Sequence, residues 1–139
     1  MSRADLKRAE ELYVAIRHVS RALRINDLEL GLSPIRSDVL AVLAFHPPMS
    51  VGDLARHEGV ASPSMTRLLV DMERDGLVRR YADPDDGRRL LAAATAEGRL
   101  LIQSARERNI GLFAAELRRA KLGPDQLSAL VAVLECVAG

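Results

Sequence analysis

Two arginines seven residues apart, Arg67 and Arg74, fall in step with Pro63 and Val70 in the stretch SPSMTRLLVDMER. At about 100° per residue, that spacing puts all four on one side of a helix. Ser64, Thr66 and Asp71 stand at its edges, and Met65, Leu68, Leu69 and Met72 make the opposite, inward stripe. The outward set suits a DNA groove: arginine reads guanine or holds a phosphate, short hydroxyls bind phosphate, and valine touches a thymine methyl. The plain alternative is a solvated face with two surface arginines, and this helix alone does not separate the two. Further along, DPDDGRR at 83–89 sets three aspartates against two arginines around Gly87. Asp-Pro fixes a turn, and glycine accepts positive φ at its centre. The runs LVRRY and RLLAA flank it, so a β-hairpin with a charged tip is expected. In that tip Asp86 can pair with Arg88 and orient its guanidinium. The bland counterpart is an exposed ion pair worth roughly 0–1 kcal/mol.

Other chemistry lacks its residues. His18, His46 and His57 are scattered, and HEGVA has no second histidine of a zinc-protease helix. The paired carboxylates of DPDD lie in an exposed turn, where a raised carboxyl pKa is hard to maintain. No catalytic residue, metal site or cofactor is expected. The single cysteine, Cys136, permits no internal disulfide and follows Glu135, whose charge disfavours a thiolate; it reads as a passive thiol. Tyr13, Phe45, Tyr81 and Phe113 are the whole aromatic set, too sparse for a platform that stacks single-stranded bases. Net charge is +1, and the stretches 1–30, 31–95 and 96–139 each lie within one unit of neutral. Any nucleic-acid role must therefore rest on local placement of charge.

The elements that position these residues are mostly helical. The 139 residues make one domain's worth of chain, with ordinary apolar and charged fractions of 48% and 28%. No apolar run approaches the ~18 residues of a membrane span. The charged, amphipathic start lacks a signal-peptide pattern, so a cytoplasmic protein without a membrane partner is expected. Leu6, Ala9, Tyr13, Ile16, Val19 and Leu23 mark an amphipathic helix over about 4–29. Ser33 caps a second helix with Pro34 at its first position, and HPP stops it. Ser50 starts a short helix that Gly59 ends, and Ser62-Pro63 starts another running to Gly76. Ala55 at a close helix crossing, Gly59 in the turn, and Val60, Met65 and Leu68 beneath the second helix give residues 54–72 the spacing of a helix-turn-helix. A hairpin over 77–94 follows it at once, which makes a winged helix whose wing lies over the neighbouring backbone or the electronegative minor groove. Thr95 caps a long helix with an interruption suggested at Gly111. Gly123-Pro124 opens a last one carrying Leu127, Leu130, Val131, Leu134 and Val137 on one face. The expected fold is mainly α with a small β-hairpin wing. Sticky faces at both chain ends point to a shared dimer core, the alternative being packing on their own chain.

Residues 32–98 resemble the multiple-antibiotic-resistance regulator (MarR) family of bacterial transcription factors. The resemblance rests on MTRLLVDMERDGLVRR, on the wing DPDDGR with Asp86-x-Arg88, and on Thr95-x-x-Gly98. It covers about half the chain closely, and the helical ends fit in arrangement. Gly87 before the arginine and the alanine-rich LLAAAT depart from a frequent version of the pattern. The resemblance implies a single domain over 1–139: a winged-helix DNA-binding lobe at 31–95, with 1–30 and 96–139 as interlocked dimerisation helices. It implies a homodimer on double-stranded, pseudo-palindromic operator DNA, released by a small aromatic or anionic effector. Ser62, Ser64 and Thr66 would then anchor phosphates, and Pro63, Arg67, Val70 and Arg74 would face the major groove. Arg88, oriented by Asp86, would enter the minor groove, with Arg79, Arg80 and Arg89 as backbone or scaffold charges. Tyr13, Arg17, His18, Phe45 and His46 would be candidates for an effector pocket, against core packing or ordinary surface for each. The competing reading is a winged-helix protein-interaction module without DNA binding, which the near-neutral central region favours.

Overall fold

The computed structural model describes residues 1–139, and the chain forms two compact units, Met1–Arg106 and Glu107–Gly139. Six helices and three short strands follow in the order α1 (Arg3–Glu29), α2 (Pro34–Phe45), β1 (Met49–Ser50), α3 (Val51–Glu58), α4 (Ser62–Arg74), β2 (Val78–Ala82), β3 (Leu90–Ala94), α5 (Ala96–Ala120) and α6 (Pro124–Ala138). No helix is long and apolar enough to cross a membrane.

Local signals set most of the boundaries. Ser2 and Asp5 cap α1 reciprocally: the Ser2 hydroxyl accepts from the Asp5 amide at 3.1 Å, and the Asp5 carboxylate accepts from the Ser2 amide at 3.0 Å. No residue of α1 is buried in the chain, for all its apolar stripe. Ser33 caps α2 with Pro34 at its first turn, and Val39, Leu40 and Leu43 enter the core. Ser50 caps α3, and Gly59 closes it at φ 68°, a left-handed conformation that glycine adopts without steric cost. In α4, Met65, Leu69 and Met72 are fully buried and Leu68 partly so, which is the expected inward stripe. That helix ends at Arg74, short of Gly76.

Two expectations need correction. The wing is part of a three-stranded antiparallel sheet of order β1-β3-β2, with Met49 opposite Ala92 and Ser50 opposite Leu91. Two residues are too few to carry an alternating pattern; β3 draws them into the sheet. The helix α5 also runs unbroken through Gly111. One interior glycine costs roughly 0.5–1 kcal/mol, too little to interrupt a ladder of that length.

The turn after α4 is fastened to the start of α5. Thr95 donates its amide to the Leu77 carbonyl at 3.0 Å and its hydroxyl to the Gly76 carbonyl at 2.6 Å, and the same hydroxyl accepts from the Gly98 amide at 3.0 Å. Gly98 is buried against this turn, and a Cβ there would stand 2.1 Å from the Leu77 carbonyl oxygen. The Thr-x-x-Gly spacing is thus a cap and a close backbone approach in one. Gly98→Ala is expected to cost about 1–3 kcal/mol, because backbone must move to admit the methyl. Gly111→Ala meets no atom within 4 Å and is expected to stabilise by about 0.5–1 kcal/mol. Denaturant midpoints at one fixed protein concentration test the opposite signs.

Candidate nucleic-acid interface

The outward face of α4 is arranged as its spacing required. Pro63, Ser64, Arg67 and Arg74 are exposed, and Thr66 and Val70 are half-buried beside them. Arg67 has no hydrogen-bond or ion-pair partner in the chain, whereas Arg74 lies 3.3 Å from the Asp71 carboxylate one turn back. The N-terminus of α4 differs from those of α2 and α3. Its cap residue is Ala61, which offers no side-chain acceptor, so amides of the first turn remain open beside Ser62 and Ser64.

The wing tip explains its own crowd of charges. Asp83 donates its amide to the Arg89 carbonyl at 2.8 Å, and Arg89 donates its amide to the Asp86 carbonyl at 2.9 Å. The Asp83 carboxylate accepts from the Asp85 amide at 2.9 Å, and that of Asp86 from the Arg88 amide at 3.1 Å. These are Asx turns, in which aspartate side chains satisfy backbone donors. Asp86 therefore fixes the main chain of Arg88; the expected pairing with its guanidinium is not formed. Gly87 likewise departs from expectation, since its φ is not positive and a Cβ there would meet nothing within 4 Å. Arg88 is exposed and its guanidinium has no partner. Arg89 instead donates to Asp53 on α3 at 2.8 Å.

Other arginines brace the lobe. β2 is an edge strand, and Glu73 near the end of α4 accepts from the Arg80 amide at 2.9 Å and from its guanidinium at 3.4 Å. A carboxylate thereby covers part of the strand's free edge. Arg79 stacks over the Tyr81 ring at 4.7 Å. Arg36 on α2 reaches Asp75, the cap of α4, at 2.7 Å.

The proposed pocket residues fall into two groups that no hydrogen bond or ring contact joins. Tyr13, Arg17 and His18 are exposed on α1. Phe45 ends α2 under the Arg106 guanidinium at 5.1 Å, and His46 lines a cleft of about 510 Å³ with Pro47, Pro48, Asp53, Asp83 and Arg89. No group of His, Cys, Asp or Glu is placed to hold a metal ion. Sequence reasoning missed Asp53 and Arg56. Asp53 was visible as an acid three residues after a serine cap, but its partner Arg89 lies 36 positions away.

A helix-turn-helix with an adjoining three-stranded wing defines a winged helix-turn-helix protein. The model of the MarR family matches residues 30–89. An HTH-type transcriptional regulator of Mycobacterium tuberculosis is 34% identical over 103 residues, covering 74% of this chain and 72% of that protein. The chain belongs to the MarR family. Two solved structures share the fold: a mutant of Escherichia coli MarR complexed with operator DNA (TM-score 0.68, 19% identity, 94% and 93% of the two chains) and NadR in complex with 4-hydroxyphenylacetate (TM-score 0.70, 24% identity, 92% and 89%).

Glu73→Ala would leave the Arg80 amide without an acceptor and its half-buried guanidinium without a counter-charge. A loss of about 1–3 kcal/mol in unfolding free energy is expected, measured by chemical denaturation.

Proposed function

We propose that the protein is a homodimeric, sequence-specific transcriptional regulator, with α4 in the major groove of double-stranded DNA and the wing in the flanking minor groove. The observation that carries this reading is the pair of exposed, partnerless guanidiniums of Arg67 and Arg88 on the helix and wing of one winged lobe. Arginine at these two places can fork onto a guanine edge and enter a narrow minor groove. Ser62, Ser64, Thr66 and the open amides of α4 suit backbone phosphate, which the positive end of a helix favours. Pro63, Val70 and Arg74 complete the groove-facing surface. The E. coli relative crystallised with operator DNA supports the same use of the fold.

The second copy follows from exposed apolar surface. Leu6, Tyr13, Val14, Ile16, Val19, Ile25 and Leu28 of α1 are all more than a third exposed, as are Leu130, Val131, Val133 and Val137 of α6. Faces of this kind mark interaction sites, and a copy of the chain is the partner that also supplies a second recognition helix for a two-fold operator. In this reading residues 31–95 bind DNA, 1–30 and 96–139 join the protomers, and the protein works in the cytoplasm as a repressor rather than an enzyme. A small aromatic or anionic effector would act through the spacing of the two helices, with Tyr13, Arg17, His18, Phe45 and His46 as the residues to test.

Fluorescence anisotropy on the protein's own upstream intergenic DNA, against a random duplex of equal length, tests the proposal. Selective binding is expected, weakened by about 1–3 kcal/mol in Arg67→Ala, and Arg88→Ala is expected to lose affinity and A·T preference at the flanks. Light scattering should give twice the chain mass of 15.2 kDa. Absence of selectivity on that DNA and on a genomic fragment pool would turn the reading toward a protein-interaction module.

A further inference from the structure

Asp53 stands where three elements meet. It is the third residue of α3, and its amide donates to the Ser50 hydroxyl at the end of β1 at 3.1 Å. Its carboxylate oxygens go to different arginines: Oδ1 to Arg56 one turn further along α3, and Oδ2 to Arg89 at the exit of the wing turn, 2.8 Å away. Arg56, Arg88 and Arg89 line one cleft of about 580 Å³ with Gly52 and Asp53, and two of the three guanidiniums, those of Arg56 and Arg89, meet on the one carboxylate. Arg88 is the one of the three without a carboxylate partner. The Ser50 hydroxyl above all holds the Asp53 carboxyl below the usual range; burial, the next largest effect, opposes it, and the Arg56 and Arg89 charges add smaller lowering contributions.

This arrangement affects both wing angle and charge. The hydrogen bonds of the tip run within residues 83–89, so they shape the turn without setting its direction against α3. The Arg89–Asp53 bridge is the polar link from the tip to the helix-turn-helix. An exposed pair of this kind biases an equilibrium by no more than about fivefold. That is negligible for global stability, yet it matters for a turn on two strand ends. The same carboxylate also engages two guanidiniums and offsets one of their two charges, which would otherwise meet any phosphate backbone, whatever its sequence.

We propose that Asp53 is a positioning residue of the interface: through Arg89 it latches the wing to α3, and by engaging Arg56 and Arg89 it leaves Arg88 as the wing's presented cation. The second half rests on the DNA-binding reading above. The full-length protein and its Asp53→Asn, Arg89→Gln and Asp53→Glu variants test it, by amide hydrogen exchange without DNA and by anisotropy on upstream and random-sequence duplexes across salt. Asp53→Asn and Arg89→Gln should both speed exchange at Arg88 and Arg89 severalfold. On the random duplex the two should part. Asp53→Asn removes one negative charge, a net gain of one cation per protomer, and steepens the salt slope by up to ~0.9, about a three- to fourfold change between roughly 50 and 200 mM salt. Arg89→Gln loosens the wing without steepening the slope, and Asp53→Glu restores wild-type behaviour. A purely structural role would not move the salt slope. Unchanged exchange in Asp53→Asn, or an unchanged slope beside faster exchange, overturns the proposal. If the wild-type protein binds neither duplex, the regulator reading falls, and the exchange data alone decide whether Asp53 latches the wing.

Discussion

The Leu77 carbonyl is the point on which the winged lobe closes. It accepts from Thr95 and lies against Gly98, so the turn leaving α4 and the turn entering α5 are one joint. β2 departs from this joint and β3 returns to it, with Val78 paired to Ala94 directly above it. The wing is consequently anchored at its base by backbone that has no room to slide. Leu40 also lies within reach of a Cβ at Gly98, so the joint rests on the core helix α2 as well. Position 98 admits a side chain only if backbone moves, because the protein packs main chain on main chain there, a contact that volume elsewhere in the core cannot replace.

From that joint outward the polar contacts sort into two kinds. Near the base they brace the lobe, as Glu73 does for Arg80 and Asp75 for Arg36. Toward the tip they are local, and Asp83 and Asp86 accept from backbone amides of the turn. This division shows how a lobe of almost no net charge can still display positive groups. The carboxylates of Asp83 and Asp86 turn inward to amides of their own turn and Asp53 bridges to Arg89, while Arg67 and Arg88 project free. Net charge reports the sum, and recognition depends on which charges keep their partners.

The boundaries that sequence reasoning located correctly were set by neighbours in the chain: serine caps at 33 and 50, the left-handed Gly59, and the buried stripe Met65, Leu69 and Met72. Each needs no more than one helical turn of information. The misjudged features depend on distant partners or on backbone detail. Strand β1 exists because β3 lies beside it. Asp53 matters because the fold returns Arg89 to it. Asp86 was matched to the correct residue but the wrong group, because a residue pairing read from sequence does not say whether the amide or the guanidinium will be nearer. The turn residue Gly87 was given a backbone conformation that its neighbours made unnecessary, since two Asx turns already bend the chain.

The two kinds of helix in this chain carry different stabilities. Those of the winged lobe bury Val39, Leu40, Leu43, Leu54, Met65, Leu69 and Met72 almost completely, so their core is complete within one chain. α1 and α6 bury none of their residues. Isolated helices draw most of their stability from packing an apolar face, and one that lacks such packing is marginal in water. In the proposed dimer, the order of α1 and α6 is therefore linked to association while the winged lobe is not, and the dimer's free energy is concentrated in the elements that set the distance between two recognition helices. An effector that altered the packing of those end helices could change that distance without disturbing the core that shapes each DNA-reading surface.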